Sequence, residues 1–279
     1  MRWFRVGVMV LATSAVASAC GGGGSSSSSG APGGATSSTA APTTAAVPST
    51  AGGTTVPATE LTLHITDLHL VNSEDADNGV RVLLPAGVAN ASVTLSGLPT
   101  PNQVISVCQA NALDTRFTAA ACRTPANGDA VTVALGSAAS GVEIAPVGVT
   151  NAGAAGNAIT LGEVTIRYTA STRQVSARLP QIASGDAGGR PTFALTPAGP
   201  GGSYQAMLAW SVIQVFGGTA STGRLELLQA GNVAGQAESS GQQVQLTGNL
   251  TAPVGDAAVR VQNVGSGAMV SPKLVLLLP

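Results

Sequence analysis

From Glu60 to Pro279 the chain consists of short runs with a period of two, and that period decides what it can fold into. In LTLHITDLHL (61–70) Leu61, Leu63 and Ile65 alternate with Thr62, His64 and Thr66. VRVLL (80–84), ASVTLSGL (91–98), QVISVCQA (103–110), AVTVAL (130–135), GVEIAPVGV (141–149), AITLGEVTIRY (158–168) and RQVSARL (173–179) follow. Val, Ile and Thr fill these runs, and Gly, Pro, Asn and Asp separate them. Alternating side chains suit a pleated strand with one buried face. No stretch after residue 60 carries a 3.6-residue apolar period, so helices are not expected. Strands at this spacing predict an all-β fold of sandwich or jelly-roll type.

IASGDAGGRP (182–191) has the composition of a boundary. It divides the β-rich part into two expected sandwich domains, 60–183 and 190–279. In the second, the run 205–216 is apolar on both faces and reads as a central strand, with Trp210 in the core. A short internal match supports duplication: VEIAPVG (142–148) and VRVQNVG (259–265) align at Val, aliphatic, Val and Gly. The ending DAAVRVQNVGSGAMVSPKLVLLLP (256–279) resembles the last strands of galactose-binding-like jelly rolls. In that family a valine-rich strand, a Gly/Asn turn and an aliphatic strand close the sandwich. The resemblance implies a jelly-roll-like second domain with ligand-binding rim loops, here around 199–203 and 217–223. Tyr204, next to the first loop, is the expected exposed ring for stacking on a sugar.

Cys108 and Cys122 form an even pair, which in an exported chain predicts a disulfide. The loop it closes is worth about 3 kcal/mol in the chain-entropy model. It would pin the excursion after strand 103–108 onto the sheet. The chain's two histidines, His64 and His69, are five residues apart, which puts strand residues on opposite faces. The apolar parity flips near Asp67, and a bulge there would bring them to one face. Zinc would still need a third or fourth ligand, so no metal site is expected. Glu74, Asp75, Asp77 and Asn78 in NSEDADNG (72–79) offer oxygen ligands to calcium, but their spacing fits a solvated hairpin turn at Asn78–Gly79 better. There is no G-x-S-x-G and no P-loop. No cofactor is expected, and hydrolase activity ranks behind binding.

Met1–Val16 places Arg2 and Arg5 before an apolar run, and Ala17-Ser18-Ala19 precede Cys20. That is the order of a secretory signal (1–19), and its apolar run is too short to span a bilayer as a helix. The segment resembles the lipobox of bacterial lipoproteins. Ala17 stands where that family usually has Leu. The resemblance implies a diacylglycerol thioether on Cys20, on the outer face of the cell membrane. Residues 21–59 contain no charged and no aromatic side chain. Such a segment cannot offset its conformational entropy by burial, so 20–59 reads as a lipidated cysteine followed by a disordered tether. Its 39 residues span roughly 35 Å as a coil and at most ~130 Å stretched.

Charged residues are 9% of the chain, and the low lysine content beside abundant Ala, Gly and Arg resembles proteins of high-GC bacteria. Without Arg2 and Arg5 there remain 10 basic and 13 acidic residues, a net charge of −3. That leaves no basic stripe for nucleic acid. The expectation is therefore a non-enzymatic surface lipoprotein, held by its lipid in the membrane. Its sandwich domains would bind envelope or external glycans, or alternatively an envelope protein. Cys20→Ser should move the protein from the membrane fraction to the medium or leave it unprocessed. Globomycin should leave a larger precursor. An unchanged size and location under both treatments contradicts the anchor.

Overall fold

A computed structural model describes residues 57–71, 79–98, 104–114, 122–135, 140–147, 158–185, 189–211, 220–251 and 257–279. Cys20, residues 72–78, and the tether up to residue 56 lie outside them. The described residues form fifteen strands in two antiparallel sheets and no helix, as the period of two predicts.

From residue 174 onward the strands wind as a set of nested pairs. β8 (Gln174–Arg178) pairs with β15 (Val270–Leu277), and β9 (Thr192–Thr196) with β14 (Ala257–Asn263). Inside these, β10 (Gly202–Ser211) pairs with β13 (Gln243–Leu250), and β11 (Gly223–Gln229) with β12 (Asn232–Ser239). Successive pairs alternate between sheets, giving β8-β15-β10-β13 over β9-β14-β11-β12. A long hairpin rolled up in this way is a jelly roll.

The first half repeats the pattern. β1 (Thr59–Val71) pairs with β7 (Ala158–Ala170), β2 (Val80–Leu83) with β6 (Gly141–Pro146), and β3 (Asn90–Ser96) with β5 (Ala130–Ala134). β4 (Ile105–Ala110) is interposed before β5 and pairs back to β6. The two expected halves are therefore recognisable, but they are not separate. β8 pairs with β2 on one side and β15 on the other, while β1 pairs with β9. Both sheets run unbroken through the two rolls, and Thr54–Pro279 is one compact unit. The glycine-rich stretch 182–191 leads from β8 in one sheet to β9 in the other, and its described residues pack on the strands. Ile182 exchanges backbone hydrogen bonds with Met269 at 3.0 and 2.9 Å. Gly189, at φ +71°, packs where a Cβ would lie 2.8 Å from the His69 ring.

Strand order places β1 opposite β9 and β7 opposite β14 in the two rolls, and β6 opposite β13. The sequence match between 142–148 and 259–265 thus aligns β6, in one sheet, with β14, in the other. It is not the trace of a duplication. Both segments are strongly buried, and Val-rich composition alone makes them alike.

The core lies between the sheets and spans both rolls. Phe193, Leu61, Leu63, Ile65, Leu68 and Leu70 are among its fully buried side chains. Each contributes roughly 1.5–3 kcal/mol of transfer free energy. β1 keeps an apolar inner face only because its parity flips between Ile65 and Leu68, where Asp67 sits at φ +53°. β7 flips opposite it, from Val164 to Leu161, across Gly162, so the register is preserved.

β2, β4 and β6 are buried on both faces. Cys108 and Cys122 are disulfide-bonded, as expected, and Val107 and Arg123 pair beside them. Residues 111–114 also lie over this face, with the Leu113 carbonyl accepting from Arg81 Nη1 at 2.7 Å. Beneath it Arg81 and Glu143, 2% and 3% exposed, form an ion pair with Nε–Oε1 3.1 Å. Removing one member of a buried pair strands the other charge. Glu143→Ala should lower the unfolding free energy in urea by about 3–5 kcal/mol. Arg81→Met with Glu143→Leu should recover most of that loss. A cost for Glu143→Ala below about 1 kcal/mol contradicts the buried-pair account.

Candidate functional site

At one end of the sandwich, the ends of β9, β13 and β15 meet the start of β14 and the β7–β8 turn. They enclose a cavity of about 250 Å³. This is somewhat below the range of drug-sized pockets, so it suits a small ligand. Leu195, Leu250, Ala257, Leu278 and Pro279 make its wall apolar. Gly199, in the first expected rim loop, also lines it. Three polar side chains reach it: His64, Thr196 and Arg173.

Arg173 crosses the end of the sandwich from the β7–β8 turn. Its Nη2 donates to the carbonyls of Pro197 at 2.7 Å and Leu195 at 3.4 Å. Its Nε is buried with no hydrogen-bond partner among the described residues. Burial pulls the guanidinium below its ordinary range, and nearby Tyr168 opposes that shift. Tyr168 Oη is likewise buried without a partner, and burial pushes the phenol up to about 12, with Arg173 acting in the opposite direction.

His64 lies on the outer face of β1, between β7 and β9. Its Nδ1 is 2.5 Å from Glu163 Oε1, and its Nε2 is 3.1 Å from Thr196 Oγ1. A carboxylate only accepts, so Nδ1 carries a proton. In the neutral ring Nε2 then presents its lone pair to the Thr196 hydroxyl. Thr165 Oγ1 donates to the same Glu163 oxygen at 3.4 Å and steadies the carboxylate. Thr196 Oγ1 also lies 3.4 Å from the Thr62 carbonyl.

His69 falls on the same outer face as His64, because of the parity flip at Asp67. The two do not form a metal site. His69 Nε2 is 3.1 Å from Asp67 Oδ1, while Asp67 Oδ2 accepts from the Arg190 amide at 2.7 Å. Asp67 thus secures the strand flip and the crossover. Among the described residues no group of three His, Cys, Asp or Glu side chains could hold a metal ion. The candidate calcium residues Glu74, Asp75, Asp77 and Asn78 lie outside the described residues.

Tyr204 is not the exposed ring expected beside its loop. It is 7% exposed and belongs to the core. β10 has already begun at Gly202, so Tyr204 shares parity with Ala206, Leu208 and Trp210, and all four point inward. Its ring lies against Gly248 of β13, where a Cβ would come within 2.7 Å of the phenol oxygen. That shared parity was the sequence signal that would have placed it correctly. Trp210 is buried, as expected, and donates from Nε1 to Ser221 Oγ at 2.7 Å.

A second cleft, of about 560 Å³, opens at the edge of the first roll. Glu60, Asn90, Ser92, Thr132 and Arg167 line it with polar groups. The chain matches no protein-family model and no curated protein.

Tyr168 supplies a test of the cavity end. A phenol held protonated by burial resists ionising in the folded state while the unfolded state ionises near 10. Stability should therefore fall as pH rises from about 10 to about 12. Tyr204, shifted upward by burial too, adds to this slope. Tyr168→Phe should flatten it and leave stability at pH 7 equal or higher, since it removes a buried hydroxyl with no partner. Urea midpoints at pH 7, 10 and 11 check both signs. An undiminished alkaline slope in the variant contradicts the burial of Tyr168.

Proposed function

We propose that this chain is a surface-anchored bacterial lipoprotein whose jelly rolls bind a small ligand in the end cavity. The cavity carries the reading: an apolar wall with a few convergent polar groups is the usual make-up of a small-molecule site. The signal-like order of residues 1–19, Cys20 and the tether support attachment to the outer face of the membrane. The ligand has an apolar part to lie against Leu250 and Leu278, and a polar end near Arg173.

Glycan recognition is the second reading. Tyr204 no longer supports it, but the polar cleft at Glu60, Asn90 and Arg167 does. A sugar ring there would be held by hydrogen bonds alone. Arg167→Ala should then weaken binding to a wall polysaccharide fraction.

A small neutral probe, 1-octanol, tests the first reading. Ligand that binds only the folded state raises its stability by RT ln(1 + [L]/Kd). Millimolar octanol should raise the melting temperature of the full chain. Ala257→Phe fills the cavity and should abolish the rise without lowering the melting temperature in buffer by more than a few degrees. An equal rise in the variant, or none in the unsubstituted protein, contradicts the cavity as the site.

A further inference from the structure

We propose that the end cavity is also a hydrolytic site for small carboxylic esters, with Thr196 as nucleophile, His64 as general base and Glu163 as the group that orients His64. The inference rests on the cavity reading and adds chemistry to it. Three observations converge. Thr196 Oγ1 and His64 Nε2 are 3.1 Å apart, within the reach that nucleophile activation requires. Glu163 sits 2.5 Å from the other ring nitrogen and sets the tautomer that leaves Nε2 free to accept a proton. The nucleophile and base open onto an apolar cavity of about 250 Å³, which accommodates a medium-length acyl chain.

Arg173 supplies what remains. Its Nη2 holds the carbonyls on either side of Thr196, so the guanidinium is fixed against the backbone that carries the nucleophile. Its Nε is a buried donor with no acceptor among the described residues, and Arg173 is one of the residues that line the cavity. A preorganised donor of this kind suits the oxyanion of an acyl-transfer intermediate.

The reaction balances without a cofactor. Thr196 Oγ1 attacks the ester carbonyl as its proton passes to His64 Nε2, and the carbonyl oxygen becomes an anion on the side of the cavity that carries the Arg173 guanidinium charge. The intermediate collapses by breaking the bond to the alcohol oxygen, which leaves with the proton from His64. The acyl group is then on Thr196. Water, deprotonated by His64, attacks that ester, the bond to Oγ1 breaks, and the threonine regains its proton as the carboxylic acid departs.

The probe is p-nitrophenyl octanoate, with the full chain. The unsubstituted protein should release p-nitrophenolate catalytically, and Thr196→Val and His64→Gln should each lower kcat/KM by about 10²-fold or more. His69→Ala should leave the rate unchanged, which separates turnover from the background reactivity of an exposed imidazole. Glu163→Gln should lower kcat with little change in KM. Mass spectrometry of rapidly quenched protein should find an octanoyl adduct on the peptide carrying Thr196. Thr196 is exposed and Val is its near isostere, so the variant retains the fold. No turnover above that of free imidazole, or turnover unchanged in Thr196→Val, overturns the proposal. If octanol still raises the melting temperature in that case, the binding reading survives and only the chemistry falls. If octanol has no effect either, both fall.

Discussion

Strand β8 carries the architecture. It is the last strand of the first roll, hydrogen-bonded to β2, and the outermost strand of the second, hydrogen-bonded to β15. Ser176, Ala177 and Arg178 thus serve two folding units at once. The sharing removes two sheet edges that separate sandwiches would expose to aberrant pairing. It also forces β1 against β9 in the opposite sheet, because the two layers must stay in step. The seam between the rolls is consequently a pair of continuous ladders, and Val175, Ala177 and Leu179 supply one apolar surface to both halves of the core.

Polar networks lie across that seam on both outer faces. On one sheet His64 of β1 links Glu163 of β7 to Thr196 of β9. On the other, Arg178 of β8 donates to Ser271 at the start of β15 at 2.7 Å, and Lys273 of β15 meets Asp114 at 2.7 Å. The Lys273 hydrogen bond holds the Asp114 carboxyl below its usual range against the opposing effect of burial, and the charges of Lys273, Arg178 and Arg81 add to the lowering. In a chain with so few charges, this concentration at the seam is where cross-roll geometry is fixed side chain by side chain. It is also why His64 meets residues 99 and 132 positions away.

Local rules made much of the fold legible. The period of two set strand identity, and the parity change at Asp67, where a bulge could bring the histidines to one face, is where the strand does flip. The even cysteine pair and the core position of Trp210 followed from equally local reasoning. What failed depended on distance or on a boundary. Tyr204 was read from the loop before it rather than from its parity with Ala206. The crossover at 182–191 has a linker's composition, yet its Gly189 meets His69 for want of space rather than for flexibility. β4, an extra strand between the third and fifth, hid the correspondence of the rolls behind a chance match of buried valines. The cavity was not legible in the sequence, because its walls come from six separate segments brought together only by the rolling of the sheets.

Where a structure departs from its own packing rules, the departures are informative when they cluster. Buried polar atoms without partners each cost about 1–3 kcal/mol, and folded domains hold few of them. Here Tyr168 Oη and Arg173 Nε lack partners among the described residues at the same end of the sandwich, and Arg173 lines the cavity. Phe for Tyr168 would serve the core as well, so the core alone does not explain the hydroxyl. Arg173 Nη2 is anchored by two carbonyls, so its Nε is not a donor that turned away by accident but one held in place. Stability given up at one spot, with the donor's residue fixed and lining a cavity, is the pattern expected at a binding site. The outer-face His64–Glu163 pair meets the same spot from the other side through Thr196. At the end of β9 the seam, the cavity and Arg173, which lines it and whose Nε is buried, come together.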